Sequence, residues 1–229
     1  VSELETFILK KKIKLYWSPE QIARWKLNTN ENISKDTIYK YIYENYPKYS
    51  KKYFRRKKKY IKDRKQKYQL MDRKMIDSRP EEIELRQRID WEDTVVIRSK
   101  KAIITNVERK SLYLLATKIN NRSESVLEAT IELFKNIPKS KKKTITYDNR
   151  EFSEHRMIEY CTLDVYFAHP YSSWERTNEN TNLLRQFLPK KTDFKNISQN
   201  QLKKFVFLLN SRPRKKLNFL TPFEVFFYS

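Results

Sequence analysis

The chain contains no glycine in 229 residues. Ordinary usage of about 7% would give roughly 16, and sampling does not reach zero from there. Glycine supplies positive φ and close backbone approach at turns and catalytic loops, so its absence bears on each of them. Cysteine is nearly missing too: Cys161 stands alone, which excludes an internal disulfide and suits a reducing compartment. One cysteine and two histidines do not assemble the usual ligand set of a structural zinc site. No apolar run approaches the roughly 18 residues of a membrane-spanning helix. Phe7-Ile8-Leu9 is too short to be the apolar core of a secretory leader before the lysines begin at Lys10. A cytoplasmic protein with no membrane partner is expected. Acidic residues are scarce: 28 Asp and Glu stand against 50 Lys and Arg, for a net charge of +22. That balance suits a polyanion, with nucleic acid ahead of a membrane surface.

The N-terminal part carries helix signals. Ser18 can cap, Pro19 suits a first helical position and Gln21 can complete a capping box; Ile22, Ala23 and Trp25 continue the helix. Ser34 caps a second helix, in which Ile38, Tyr41 and Ile42 recur at helical spacing. Two short capped helices across a polar turn predict either a helix-turn-helix or a plain helical hairpin. In the former the second helix would offer Lys35, Asp36, Tyr39 and Lys40 to a DNA groove. Between Lys51 and Lys67, Lys and Arg crowd around a single Asp63, with Tyr53, Phe54 and Tyr60 interleaved. This segment, Arg55, Arg56 and Lys57 included, reads as a solvated linker that can neutralise phosphates.

After Arg79-Pro80 the pattern changes. Thr94-Val95-Val96-Ile97, Ala102 to Val107 and Leu112 to Ala116 predict three consecutive strands. A helix follows from Ser123 to near Pro138, then a strand from Thr144 to Tyr147, a helix from Phe152 to Tyr160 and a strand at Val165-Tyr166-Phe167. Helices are expected from Asn182 to Leu188 and from Gln201 to Asn210. Three meandering strands followed by alternating helix and strand predict an α/β fold with a mixed sheet and flanking helices.

Three carboxylates lie in informative phrases: Asp93 in Trp91-Glu92-Asp93-Thr94, Asp148 in Thr146-Tyr147-Asp148-Asn149, and Glu179 in Asn178-Glu179-Asn180. Singly, each has an ordinary reading as a turn residue or a solvated helix face. Together, two carboxylates beside strands and one near a helix can converge on hard cations, which take oxygen ligands and share substrate phosphates.

These phrases, with Val107-Glu108-Arg109-Lys110-Ser111, Phe167-Ala168-His169-Pro170-Tyr171, Ser173-Trp174-Glu175-Arg176 and Asn210-Ser211-Arg212-Pro213-Arg214, resemble the insertion-sequence-thirty family of bacterial transposases. The resemblance runs from about Ser18 to the C-terminus and is weakest between Lys48 and Met71. It implies a ribonuclease-H-like core and an Asp-Asp-Glu triad, with Asp93, Asp148 and Glu179 as catalytic metal ligands for two Mg2+ or Mn2+ ions. Glu92 and His155 are candidate accessory residues. Arg176, Arg185 and Lys190 are candidate phosphate contacts near the site. The implied partner is double-stranded DNA, as terminal inverted repeats and target, held by a nucleoid-associated homo-oligomer of at least two copies. The implied chemistry is hydrolysis that frees a 3′ hydroxyl, then in-line attack of that hydroxyl on target DNA without a covalent enzyme intermediate. The expected division is a helix-turn-helix region over 1–48, a basic linker over 49–86 and a catalytic domain over 87–229. Val1 is not methionine, and the family often carries a further N-terminal DNA-binding segment, so a fragment is one expectation and an unusual start codon the other. The rival function is a catalytically inactive DNA-binding remnant, or a domesticated transposase acting as a regulator; a nuclease that cuts without joining is a further rival.

The chain departs from the family pattern at its glycines. Where the family has Trp-Glu-Gly-Asp, this chain has Trp91-Glu92-Asp93; where it has Asp-Asn-Gly, the chain runs Asp148-Asn149-Arg150. Likewise Glu-Arg-Gly becomes Glu175-Arg176-Thr177, and Asn-Gly-Leu becomes Asn182-Leu183. Substitution would preserve length, and here length is lost. The expectation is that the gene specifies glycine at these points, a reassigned codon being one route in keeping with the A+T-rich residues Lys, Ile, Asn and Tyr; a decayed element with real deletions is the alternative. Contiguous sense codons across Glu92-Asp93 in the gene would defeat it.

Overall fold

The computed structural model describes residues 3–27, 33–46, 74–85, 90–98, 101–119, 124–147, 163–169, 183–189 and 192–228. They form two compact units. One comprises Val1–Lys65 together with Ser211–Ser229, and the other Gln66–Asn210.

The first unit holds helices α1 (Glu3–Leu9), α2 (Pro19–Leu27) and α3 (Lys35–Asn45), with a π-helical turn at Lys10–Lys14. The capping chemistry expected from sequence is present. Ser18 N donates to Gln21 Oε1 at 2.8 Å and Gln21 N to Ser18 Oγ at 3.3 Å, and Thr37 N donates to Ser34 Oγ at 3.0 Å. Each such cap contributes about 1 kcal/mol. Ile8, Trp17, Ile22, Ala23, Ile38 and Ile42 form the core of this unit, which places Ile38 and Ile42 of α3 on its inner face, as their spacing predicts. Lys11 Nζ lies over three rings, 4.5 Å from the Trp17 centroid, 4.7 Å from Trp25 and 5.5 Å from Phe7. Each cation–π contact at such a site contributes about 0.5–1 kcal/mol.

Residues 211–228, expected within the catalytic domain, pack with these N-terminal helices. Gln21 Nε2 donates to Pro213 O, Arg212 is buried and reaches Leu15 O at 3.3 Å, and Lys215 pairs with Glu20 at 2.8 Å. The segment ends in a helix, α7 (Pro222–Tyr228), closed by a reciprocal Thr221–Glu224 cap. Neither this helix nor α1 is among the expected elements.

The second unit is a five-stranded mixed sheet: β1 (Asp90–Arg98), β2 (Lys101–Glu108), β3 (Leu114–Ile119), β4 (Thr144–Tyr147) and β5 (Asp164–Phe167). Its order is β3-β2-β1-β4-β5. β1, β2 and β3 are antiparallel neighbours, whereas β4 runs parallel to β1 and β5 parallel to β4. Three meandering strands with two parallel strands added beyond the first are the ribonuclease-H-like sheet. A short helix α4 (Glu81–Glu84) precedes β1, and α5 (Glu124–Phe134) lies between β3 and β4. The strands start or end within a few residues of their expected bounds, and β4 matches them. The helix expected from Asn182 to Leu188 is shorter in its described part: Gln186 N bonds Leu183 O, Phe187 N bonds Leu184 O, and the chain turns away. The helix expected from Phe152 to Tyr160 lies outside the described residues.

α6 (Gln199–Asn210) packs Leu202 and Leu209 against Ile103, Val107, Leu114 and Ala116 of β2 and β3. Asn210 closes this contact by acting as a strand partner. Its Oδ1 accepts from Leu114 N at 2.9 Å and its Nδ2 donates to Leu114 O at 2.8 Å. Asn210→Ala leaves two buried backbone groups without these partners and should cost about 2–4 kcal/mol, read as a lower urea midpoint at unchanged slope.

The lack of glycine is visible in the backbone. Tyr16, Leu112, Asn218 and Phe219 have φ between 51° and 66°. Asn tolerates that region, but for bulky residues it costs on the order of 1–2 kcal/mol each.

Candidate catalytic strand and DNA-binding helices

β1 enters the sheet through a cluster of buried charge. Asp90 has no exposed surface. Its Oδ1 accepts from Thr144 Oγ1 at 2.6 Å and its Oδ2 from Arg79 Nη1 at 3.0 Å. The same Arg79 nitrogen donates to Thr146 Oγ1 at 3.0 Å. Arg109 approaches from the end of β2: its backbone N donates to Asp90 O at 2.9 Å, its Nη1 lies 3.8 Å from Asp90 Oδ2 and its Nε 3.2 Å from Glu92 Oε1. Burial pushes the Asp90 carboxyl above the ordinary carboxylate range, while the Thr144 hydroxyl, Arg79 and Arg109 act in the opposite direction. Trp91, between the two carboxylates, donates from Nε1 to Lys141 O at 2.9 Å and meets the Phe134 ring edge-on. Arg79, Asp90, Thr144 and Thr146 are missed by the sequence reading. Its one available signal is the Asp90/Glu92 alternation, which puts two acidic residues on one face of a strand.

Asp93 stands in β1 opposite Asn106 of β2. Asn106 is wholly buried, and neither of its amide atoms meets a hydrogen-bond partner among the described residues. In the parallel ladder Asp90 pairs with Thr144, Trp91 with Ile145 and Glu92 with Thr146. Asp93 is thus one residue beyond the last of these pairs, and Asp148 is by sequence two beyond Thr146. Asp148, Glu179, His155 and Arg176 lie outside the described residues. The described residues contain no group of three or more His, Cys, Asp or Glu that could hold a metal. Carboxylate and amide oxygens are the donor types that a hard cation takes while keeping some of its waters.

Of the expected DNA contacts, Lys35 and Lys40 are exposed on α3, Lys40 pairing with Glu44 at 3.9 Å. Tyr39 is half-buried and stacks on Tyr43. Arg185 is half-buried in the turn after Leu184, and Arg55, Arg56, Lys57 and Lys190 lie outside the described residues. His169 Nε2 sits 3.0 Å from Asp77 Oδ2, a loop-fixing contact. Among the described residues, no helix is long and apolar enough to cross a membrane.

Known proteins supply the remaining comparison. The chain is 38% identical over 232 residues to the transposase for insertion sequence element IS4351 of Bacteroides fragilis, covering 94% of this chain and 71% of that protein. It is 34% identical over 237 residues to transposase InsI for insertion sequence element IS30A of Escherichia coli (strain K12), covering 93% of this chain and 62% of that protein. It thus spans less than two thirds of that relative's length. With the probable transposase for insertion-like sequence element IS1161 of Streptococcus salivarius it shares 45% identity over 151 residues, covering 62% of this chain and 43% of the relative. The first two alignments are longer than the whole 229-residue chain yet draw on only part of it, so those relatives carry residues with no counterpart here. No protein-family model matches the chain. Among solved structures, a chain of the simian T-cell lymphotropic virus intasome in complex with PP2A regulatory subunit B56 gamma is similar at a TM-score of 0.47 and 14% identity, covering 61% of this chain and 55% of that one. By its identity to the Bacteroides fragilis transposase over nearly its whole length, the chain belongs to the IS30 family of bacterial insertion-sequence transposases.

Proposed function

We propose that this protein cuts the ends of an insertion sequence and joins them to target DNA, with Asp93, Asp148 and Glu179 as its catalytic carboxylates. The observation that carries the reading is the pairing of β1 with β4: the strand holding Asp93 is bonded in parallel to the strand that Asp148 follows in sequence. Two Mg2+ or Mn2+ ions held by the triad would supply charge stabilisation at the attacking and leaving oxygens of a phosphodiester. The chain's own groups do the rest. Asp93 on β1 and Asp148, which follows β4 in sequence, would offer anionic oxygens, and Glu179 the third. Glu92 assists through its contact with Arg109, and His155 is an accessory candidate.

The α2–α3 pair is the proposed reader of the terminal repeat, with Lys35, Tyr39 and Lys40 on its second helix. The basic segment with Arg55, Arg56 and Lys57 binds phosphates without sequence preference. Arg176 and Arg185 hold phosphate nearer the reacting bond. Two ends must be brought together, so the working form is a homo-oligomer on DNA, acting in the bacterial cytoplasm.

The test is nicking of a duplex carrying the element's terminal inverted repeat. Cleavage that appears with Mg2+ or Mn2+ and vanishes with chelator is expected. Binding without any cleavage by the gene product supports the second reading, a DNA-binding remnant, which the missing glycines favour.

A further inference from the structure

We propose that Arg79 and Arg109 are positioning residues that clamp the two catalytic strands together through Asp90, a role that rests on the triad reading above. Three observations support it. The Asp90 side chain crosses from β1 to β4, because Thr144 holds one carboxylate oxygen at 2.6 Å while Arg79 holds the other at 3.0 Å. Arg79 then returns to β4 through Thr146, the residue paired with Glu92 and two before Asp148. Arg109 ties the same Asp90 to Glu92 from the other side, using its backbone and its guanidinium. The cluster therefore fixes the register of β1 against β4 just before Asp93 and Asp148 in sequence.

Its chemistry argues against a role in stability alone. Two guanidinium groups and two carboxylates, each no more than 8% exposed in the side chain, are expensive to desolvate, and well-packed apolar residues commonly serve a fold as well or better. What ions supply that apolar packing does not is a directional register. One guanidinium nitrogen must meet both Asp90 and Thr146, and a slip of one residue along either strand moves one partner out of its reach. Metal ligands need that precision, since loss of a group supporting a ligand typically weakens metal affinity by about 10–100-fold.

The experiment measures Mn2+ binding by the protein produced from its own gene, using the electron paramagnetic resonance signal of free Mn2+. Replacing the pair together, Arg79→Met with Asp90→Leu, removes both charges at once and leaves no buried charge from that pair. The expected result is a folded protein, by circular dichroism, that binds terminal-repeat DNA as before but holds Mn2+ about tenfold more weakly. Unchanged Mn2+ affinity in the folded double variant overturns the proposal. Should the double variant not fold, Thr146→Val and Thr146→Ser decide. Val lacks the hydroxyl that Arg79 bonds and should weaken Mn2+ binding, whereas Ser should restore it; equal affinities overturn the clamp. If the unaltered protein binds no Mn2+ that Asp93→Asn releases, the metal reading itself fails, and the clamp falls with it.

Discussion

Asp148→Asn and Glu179→Gln are each expected to abolish strand transfer while leaving binding of the element's ends nearly intact, in a protein that carries its glycines. Each change keeps side-chain size and removes one anionic oxygen. An ion held by neutral ligands in place of carboxylates loses several kcal/mol of transition-state stabilisation, and about 4 kcal/mol is about a thousandfold in rate. End binding belongs by the same proposal to α2, α3 and the basic segment, none of which includes either residue. Joining of a labelled terminal-repeat duplex to plasmid, with fluorescence anisotropy of the same duplex as control, separates the two activities. Joining by either variant at the parent's rate would remove that residue from the triad.

A comparable effect is expected from adding a single residue. A chain made literally with Glu92 followed by Asp93 should bind Mn2+ at least about tenfold more weakly than one with glycine inserted between them. The reason lies in the ladder. Asp90, Trp91 and Glu92 are pinned to Thr144, Ile145 and Thr146, so an insertion after Glu92 is not absorbed toward the N-terminus. Strand side chains alternate between faces, and one added residue moves everything after it to the other face unless a bulge intervenes. By count, Asp93 is one residue past the Glu92–Thr146 pair and Asp148 two past it; the insertion makes the counts equal. Beyond Asp93 the hairpin can shift. Arg98 pairs with Lys101, and the intervening Ser99-Lys100 lacks the Asn-Gly or Gly character that locks a two-residue turn. Alanine inserted at the same point should restore binding almost as well, since residue count is the cause. Equal Mn2+ affinity with and without the insertion defeats the argument.

The sheet was legible because its signal is local. Thr144 to Tyr147 and Val165 to Phe167 are short β-branched and aromatic runs, buried at most positions, and such runs stand out between polar stretches. The capped helices were legible for a similar reason: Ser18 and Ser34 announce helix starts through bonds that span three residues. The C-terminal helix carries the same announcement in Thr221-Pro222-Phe223-Glu224, though no helix was expected there. The charged cluster was not legible. Arg79 and Asp90 are eleven residues apart and Arg79 and Thr146 sixty-seven apart, and a single charged residue shows nothing of the partner that folding brings to it. Asp93 is proposed from its phrase, whereas the cluster that precedes it on β1 needed coordinates.

The return of residues 211–228 to the N-terminal helices has a consequence for how the molecule is made. Pro213 O receives the Gln21 side chain, and Lys215 meets Glu20, so the proposed reader of DNA lacks part of its packing until those late residues leave the ribosome. The sheet, contained within Gln66–Asn210, can close first on the nascent chain, since domains generally fold as units during synthesis. A prematurely terminated polypeptide, ending anywhere in the sheet, would therefore be a poor competitor for the element's ends. On the proposed reading, binding of those ends would require translation past Lys215.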